Sequence, residues 1–169
     1  MDLAGSGYLY TLATVSVTFV GFSALLIVFR QAMGGELTRY DTNFALAFIR
    51  VGFIVTAGAL LPPLLALCGW SESTTWRVSS AAVGIPTLWF VASIPRRRRT
   101  PTSRSVPTLV WIMLAVDVIA AVALLLCAAG APWRGATIFV LSLSAILFAS
   151  GIAYLVALSV ILPDVTQRK

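Results

Sequence analysis

A chain of 169 residues that is 59% hydrophobic and 11% charged, with a mean hydropathy of +0.96, lacks the polar side chains to cover a water-exposed surface. The net charge of +6 and pI near 10.2 do not point to nucleic acid, because the positive residues fall in short loops where they set topology and meet anionic lipid. With no His and two Cys, the chain has neither the usual near-neutral acid-base group nor a zinc or iron-sulfur ligand set, so no metal and no cofactor is expected.

The apolar residues form runs long enough to cross about 30 Å of hydrocarbon at roughly 1.5 Å per helical residue, and they lack the alternation of barrel strands. The expected fold is all-α, an integral membrane helical bundle in one domain spanning 1–169. Its five transmembrane helices cover about 7–29, 44–68, 76–94, 108–129 and 136–162.

The first run starts near Tyr8 without a basic flank and is too long for a signal-peptide core, so it reads as a span. Thr11, Thr14 and Thr18 recur at helical steps and form a candidate polar face able to line a wet path. The commoner fate of such hydroxyls is a bond to their own backbone or to a neighbouring helix.

The second span carries Arg50, roughly 10 Å in from Asn43. Gly52 and Gly58 in it permit close packing, and Pro62 and Pro63 remove amide hydrogens and predict a bend that shapes the bundle. The third span, "WRVSSAAVGIPTLWFVASI", is the weakest, being short and interrupted by Ser79, Ser80 and Pro86. Without it the bundle has four spans and both termini on one side.

After it comes "PRRRRTPTSR", whose Arg96, Arg97, Arg98, Arg99 and Arg104 place this loop in the cytoplasm and make it the expected contact with anionic lipid. With five spans the N-terminus then lies outside and the C-terminus is cytoplasmic, in a plasma membrane of the bacterial inner type. Nine Arg and Lys fall inside and two outside, a bias that supports the five-span count.

The fourth span contains Asp117 in "LAVDVIAA", roughly 15 Å from Pro107 and close to the midplane. An ionised carboxylate facing lipid there costs at least about 2.5 kcal/mol, so the acid faces protein or water, pairs with a cation, or keeps its proton. Arg50 is the evident partner for an intramembrane ion pair, because its span runs parallel to this one and its depth differs by roughly 5 Å. The alternatives are a place for Asp117 on an ion or proton pathway, or a neutral, hydrogen-bonded acid, with Arg50 reaching back to the headgroups.

The fifth span has Ala145, Ala149, Ala153 and Ala157 at steps of four, a small-residue seam for close helix packing. Cys68 and Cys127 end the second and fourth spans near the same face and form a candidate disulfide. Tyr8, Tyr10, Trp70, Trp76 and Trp133 read as an interfacial aromatic belt.

No Ser-His arrangement or phosphate-cradling glycine loop recommends an enzyme. Two functions fit. One is a homo-oligomeric channel or small transport protein for protons or small ions. The other is a structural or accessory subunit of a larger membrane complex, with Arg50, Asp117 and the alanine seam holding helices together.

Overall fold

The computed structural model describes residues 5–32, 39–97, 108–130 and 135–161 and is an all-α bundle. Five helices follow in chain order: α1 (Ser6–Ala32), α2 (Arg39–Leu67), α3 (Glu72–Arg97), α4 (Thr108–Ala128) and α5 (Gly135–Ile161). Four of them, α1, α2, α4 and α5, are long and apolar enough to cross a membrane. The chain is a small multi-span membrane protein.

The exception, α3, matches its neighbours in length, at 26 residues, and runs past the expected 76–94 at both ends. Its low hydropathy has a specific origin. Thr75, Ser79, Ser80 and Thr87 are buried, whereas Val78, Ile85 and Trp89 are exposed. The buried side of the helix thus mixes these hydroxyls with Trp76 and Val83, and Val78, Ile85 and Trp89 are turned outward.

Local signals set the junction between α2 and α3. Gly69 takes φ +80, and the amides of Gly69 and Trp70 donate to the carbonyls of Ala66 and Leu65 at 3.1 and 3.3 Å, closing α2 in a Schellman turn. Ser71 then caps α3, its hydroxyl accepting from the Thr74 amide at 3.3 Å. Glu72 in the first turn complements the helix dipole. Inside α2, the helix continues through Pro62 and Pro63, both buried.

In the bundle, α1 lies along α2 and touches α5, while α2, α3 and α5 pack on one another. Helix α4 closes the other side against α3 and α5 and does not adjoin α2. Two glycines permit the tightest approaches. A β-carbon at Gly52 would lie 2.1 Å from Val20 Cγ2 across the α1–α2 contact. One at Gly58 would lie 2.4 Å from Val83 Cγ2 and 3.3 Å from Leu143 Cδ1, where α2, α3 and α5 meet.

Ring clusters fasten two of the junctions. Phe19, Phe48 and Tyr154 stand edge to face with centroids 4.8 to 6.2 Å apart, joining α1, α2 and α5. Trp76 stacks obliquely on Phe139 at 5.6 Å, and its indole Nε1 donates to Glu72 Oε1 at 3.4 Å. Trp76 is thus a core residue, 5% exposed, and not part of an aromatic belt. Its place beside Gly135 and Phe139 draws it inward. Tyr8, Tyr10 and Trp70 are half exposed, and Trp133 lies outside the described residues.

The alanine seam of α5 points into the bundle, Ala149 being buried and Ala145 and Ala153 half-buried. The side chain of Ala157 lies outside the described residues, as do Arg98, Arg99, Arg104 and the side chains of Arg96 and Arg97.

Across α1 and α2, Ser16 donates to the Gly52 carbonyl at 2.9 Å, and Thr56 donates to the same oxygen at 2.8 Å. Ser16→Ala is therefore expected to lower the thermal midpoint only slightly, about 0.6 kcal/mol in stability, because Thr56 still satisfies that carbonyl. A thermal unfolding scan in detergent checks it.

Candidate functional site: a buried polar seam

Hydroxyls on most of the bundle are held locally. Thr11, Thr14 and Thr18 donate to the carbonyls of Gly7, Tyr10 and Thr14 at 2.9 to 3.0 Å, and all three side chains face outward. Helix α1 thus turns its threonine series away from the bundle with its hydrogen bonds already made. Ser23, Ser93 and Ser144 bond to the carbonyls of Phe19, Phe90 and Val140 in the same way. Ser144 also bonds to the Tyr8 hydroxyl at 2.9 Å, tying α1 to α5.

Helix α3 differs. The hydroxyl oxygens of Thr75, Ser79, Ser80 and Thr87 are buried without a hydrogen-bond partner, and so is Asp117 Oδ1 on α4. Their directions follow from helical spacing and two glycine contacts. A β-carbon on Gly84 would sit 3.2 Å from Leu124 Cβ and from Leu125, so Gly84 faces α4. Ser80, four residues before it, shares that side of α3, and Thr87, three after Gly84 and four after Val83, lies between the α4-facing and α2-facing sides. Thr75 and Ser79 share instead the side of Val83, which packs on Gly58 of α2.

On α4 the buried face is Asp117, Ala120, Ala121, Leu124 and Cys127, at steps of three and four. This stripe meets the Ser80–Gly84 side of α3. The antiparallel register fixed by Gly84 and Leu124 puts Asp117 roughly one turn, about 6 Å along the axis, beyond Thr87. Ser80 lies roughly 6 Å from Gly84 in the opposite direction. At the end of the seam where α4 terminates, Gly130 adopts φ +89 and its α-carbon faces the Arg77 guanidinium, 2.6 Å from an added β-carbon.

The expected Arg50–Asp117 pair is not formed within the chain. Asp117 is 7% exposed and its Oδ1 has no partner, while Arg50 is exposed. The physical reason is the packing order: α3 and α5 bind α4, and α2 does not adjoin it, so equal depth on parallel helices does not bring the two side chains together. The same separation parts the two cysteines. Both are free, Cys68 exposed and Cys127 buried. Intact mass is accordingly expected to be unchanged by reductant, and a maleimide applied without reductant should modify Cys68 alone in the folded protein.

The groups that could influence Asp117 are few. Helix α3 carries Glu72 and Arg77 toward the Gly130 end and Arg96 and Arg97 in its last turn. Helix α5 has no charged residue from Gly135 to Ile161, and its Tyr154 is engaged with Phe19, Phe48 and Ser23. Among the described residues no group of three or more His, Cys, Asp or Glu converges as a metal site. A groove of about 310 Å³ between α2 and α3 is lined by apolar side chains such as Phe53, Leu61 and Pro86 and has no convergent polar group. Of the five unpartnered buried polar atoms, those of Ser80, Thr87 and Asp117 lie toward the α3–α4 seam and those of Thr75 and Ser79 toward α2.

Sequence reasoning singled out Asp117 but treated Ser79 and Ser80 as weaknesses of a span. The legible signal was a polar series on a stretch whose remaining residues are apolar. The chain matches no protein-family model, no curated protein and no solved structure.

Proposed function

We propose that this protein moves protons across a membrane, with Asp117 as the group that takes up and releases them. The observation that supports this reading is the buried Asp117 carboxyl, whose Oδ1 has no partner, on a helix packed against α3 with its four buried, unpartnered hydroxyls. A buried polar group left dry costs about 1 to 3 kcal/mol. Such groups at Ser80, Thr87 and Asp117 favour a seam that admits water during its working cycle.

The proton is the favoured species over a dehydrated metal cation. A hard cation such as calcium takes about six or more oxygen ligands. At the level of Asp117 the α3–α4 seam supplies one carboxyl, with Thr87 about one turn away, which suffices to exchange a proton with water and not to replace a hydration shell.

The Arg-rich segment after α3 orients this reading, placing Arg96 to Arg104 in the cytoplasm beside anionic lipid and the N-terminus outside. Helix α3 then crosses the membrane as the fifth span, its exposed Val78, Ile85 and Trp89 turned to lipid. Several copies make up the working unit, their contacts using the exposed apolar face of α1.

A second reading, a structural subunit of a larger assembly, draws on the outward-facing Thr11, Thr14 and Thr18, whose completed hydrogen bonds offer no route for an ion. Proton uptake by proteoliposomes separates the two. A folded preparation with no flux above empty vesicles sinks the transport reading.

A further inference from the structure

Between Ser80 and the Thr87–Asp117 pair, the seam is not polar. Gly84 lies there under Leu124, which is fully buried, and Leu125. A β-carbon on Gly84 would already be as close as 3.2 Å to both leucines, so this level is tight, with apolar side chains against a bare backbone. Beyond Ser80, the Arg77 guanidinium covers Gly130 and places a positive charge at the mouth. The order along the seam is therefore cation, hydroxyl, apolar constriction, hydroxyl and carboxyl.

We infer that Leu124 over Gly84 is a gate that closes Asp117 and Thr87 off from the Gly130 end of the bundle, with Ser80 on its far side. An apolar constriction between two polar compartments excludes water until it widens, and a guanidinium at the mouth opposes entry of cations while it is shut. Asp117, buried in the conformation described, then reaches the Gly130 end only when α4 shifts enough to lift Leu124 from Gly84. A glycine suits this position because the leucine rests on backbone and moves away without disengaging a side chain. The inference rests on the reading of Asp117 as an exchanging acid, but the gate itself is a matter of access and is measured without any flux.

The test uses the full chain in detergent with Cys68→Ser and Cys127→Ser, and single probes Ser80→Cys, Thr87→Cys and, as a buried control away from the seam, Ser16→Cys. Methyl methanethiosulfonate is the probe, being small and neutral, and intact mass reads the rate of its addition. Leu124→Ala should raise the Thr87→Cys rate about tenfold while leaving Ser80→Cys unchanged. A Thr87→Cys rate that Leu124→Ala leaves unchanged, or a Ser80→Cys rate that it raises as much, overturns the gate. Where Leu124→Ala also exposes Ser16→Cys, the bundle has loosened and Leu124→Val decides: an intermediate Thr87→Cys rate supports the gate and an unaltered one overturns it. Absence of proton flux in wild-type vesicles, by contrast, removes the transport reading and leaves the access measurement intact.

Discussion

On the proton-transport reading, Asp117→Asn is expected to lower proton uptake in reconstituted vesicles to the level of empty ones, a loss of at least about tenfold, while the purified protein keeps its helix content and its elution volume. The amide matches the carboxyl in size and presents a carbonyl oxygen to the same surroundings, so packing on α3 and α5 is retained. What it lacks is a proton to exchange. If Asp117 serves instead as a clamp, the same substitution releases helices and shows as lost assembly with no change in whatever background flux exists.

A stability measurement sharpens the distinction. Asp117 Oδ1 is buried without a partner, so replacing the side chain with an apolar one of similar volume removes a desolvated polar group. Asp117→Val is expected to raise stability by about 1 to 3 kcal/mol while abolishing flux. A stability gain coupled to a functional loss is the signature of a residue retained for work. Arg50→Gln is expected to leave both quantities unchanged, since α2 does not adjoin α4. Restoration of an Asp117→Asn defect by Arg50→Gln would show that the two residues meet between copies.

Gly58→Val should destabilise the bundle more than any change on its surface. The added β-carbon alone would lie 2.4 Å from Val83 Cγ2 and 3.3 Å from Leu143 Cδ1, and the branched methyls have no direction free of α3 or α5. Forcing such volume into a packed contact costs about 1 to 3 kcal/mol, and three helices have to separate here. A loss of about 3 kcal/mol corresponds to roughly 6 to 12 °C in midpoint for a domain of this size. Gly58→Ala should cost less, because alanine recovers up to about 1 kcal/mol of helix propensity and Val83 can rotate one methyl aside. Val83→Ala combined with Gly58→Val should restore about half of the midpoint, and independent, additive losses would show that Val83 is not the neighbour that matters.

Gly52 makes an informative comparison. Its added β-carbon would meet Val20 Cγ2 at 2.1 Å, closer than at Gly58, yet only α1 would have to move, and α1 touches α5 as its one other neighbour. Which of the two glycines matters more is a property of position in the bundle. Helical sequence spacing treats them alike.

The division between sequence and fold runs along the same line. Length and hydropathy suffice to determine that the chain is a helical membrane bundle, because hydrocarbon leaves backbone groups no partners but their own and sets how long each run has to be. Asp117 as an acid deep in a span, the capping signals at Ser71 and Gly69, and the positions of five helices follow from short-range chemistry and are readable in the chain. Partner choice is not. Arg50 and Asp117 match in depth, and Cys68 and Cys127 match in end, but depth along the axis is one coordinate of three.

The packing order, with α3 and α5 against α4 and α2 apart from it, decides that neither pair forms. It also decides that Thr75, Ser79, Ser80 and Thr87 of α3 turn into the bundle, while the threonines of α1 turn outward. Helical periodicity assigns residues to faces, but only the neighbours that occupy each face determine whether a hydroxyl meets lipid, a carbonyl or an acid.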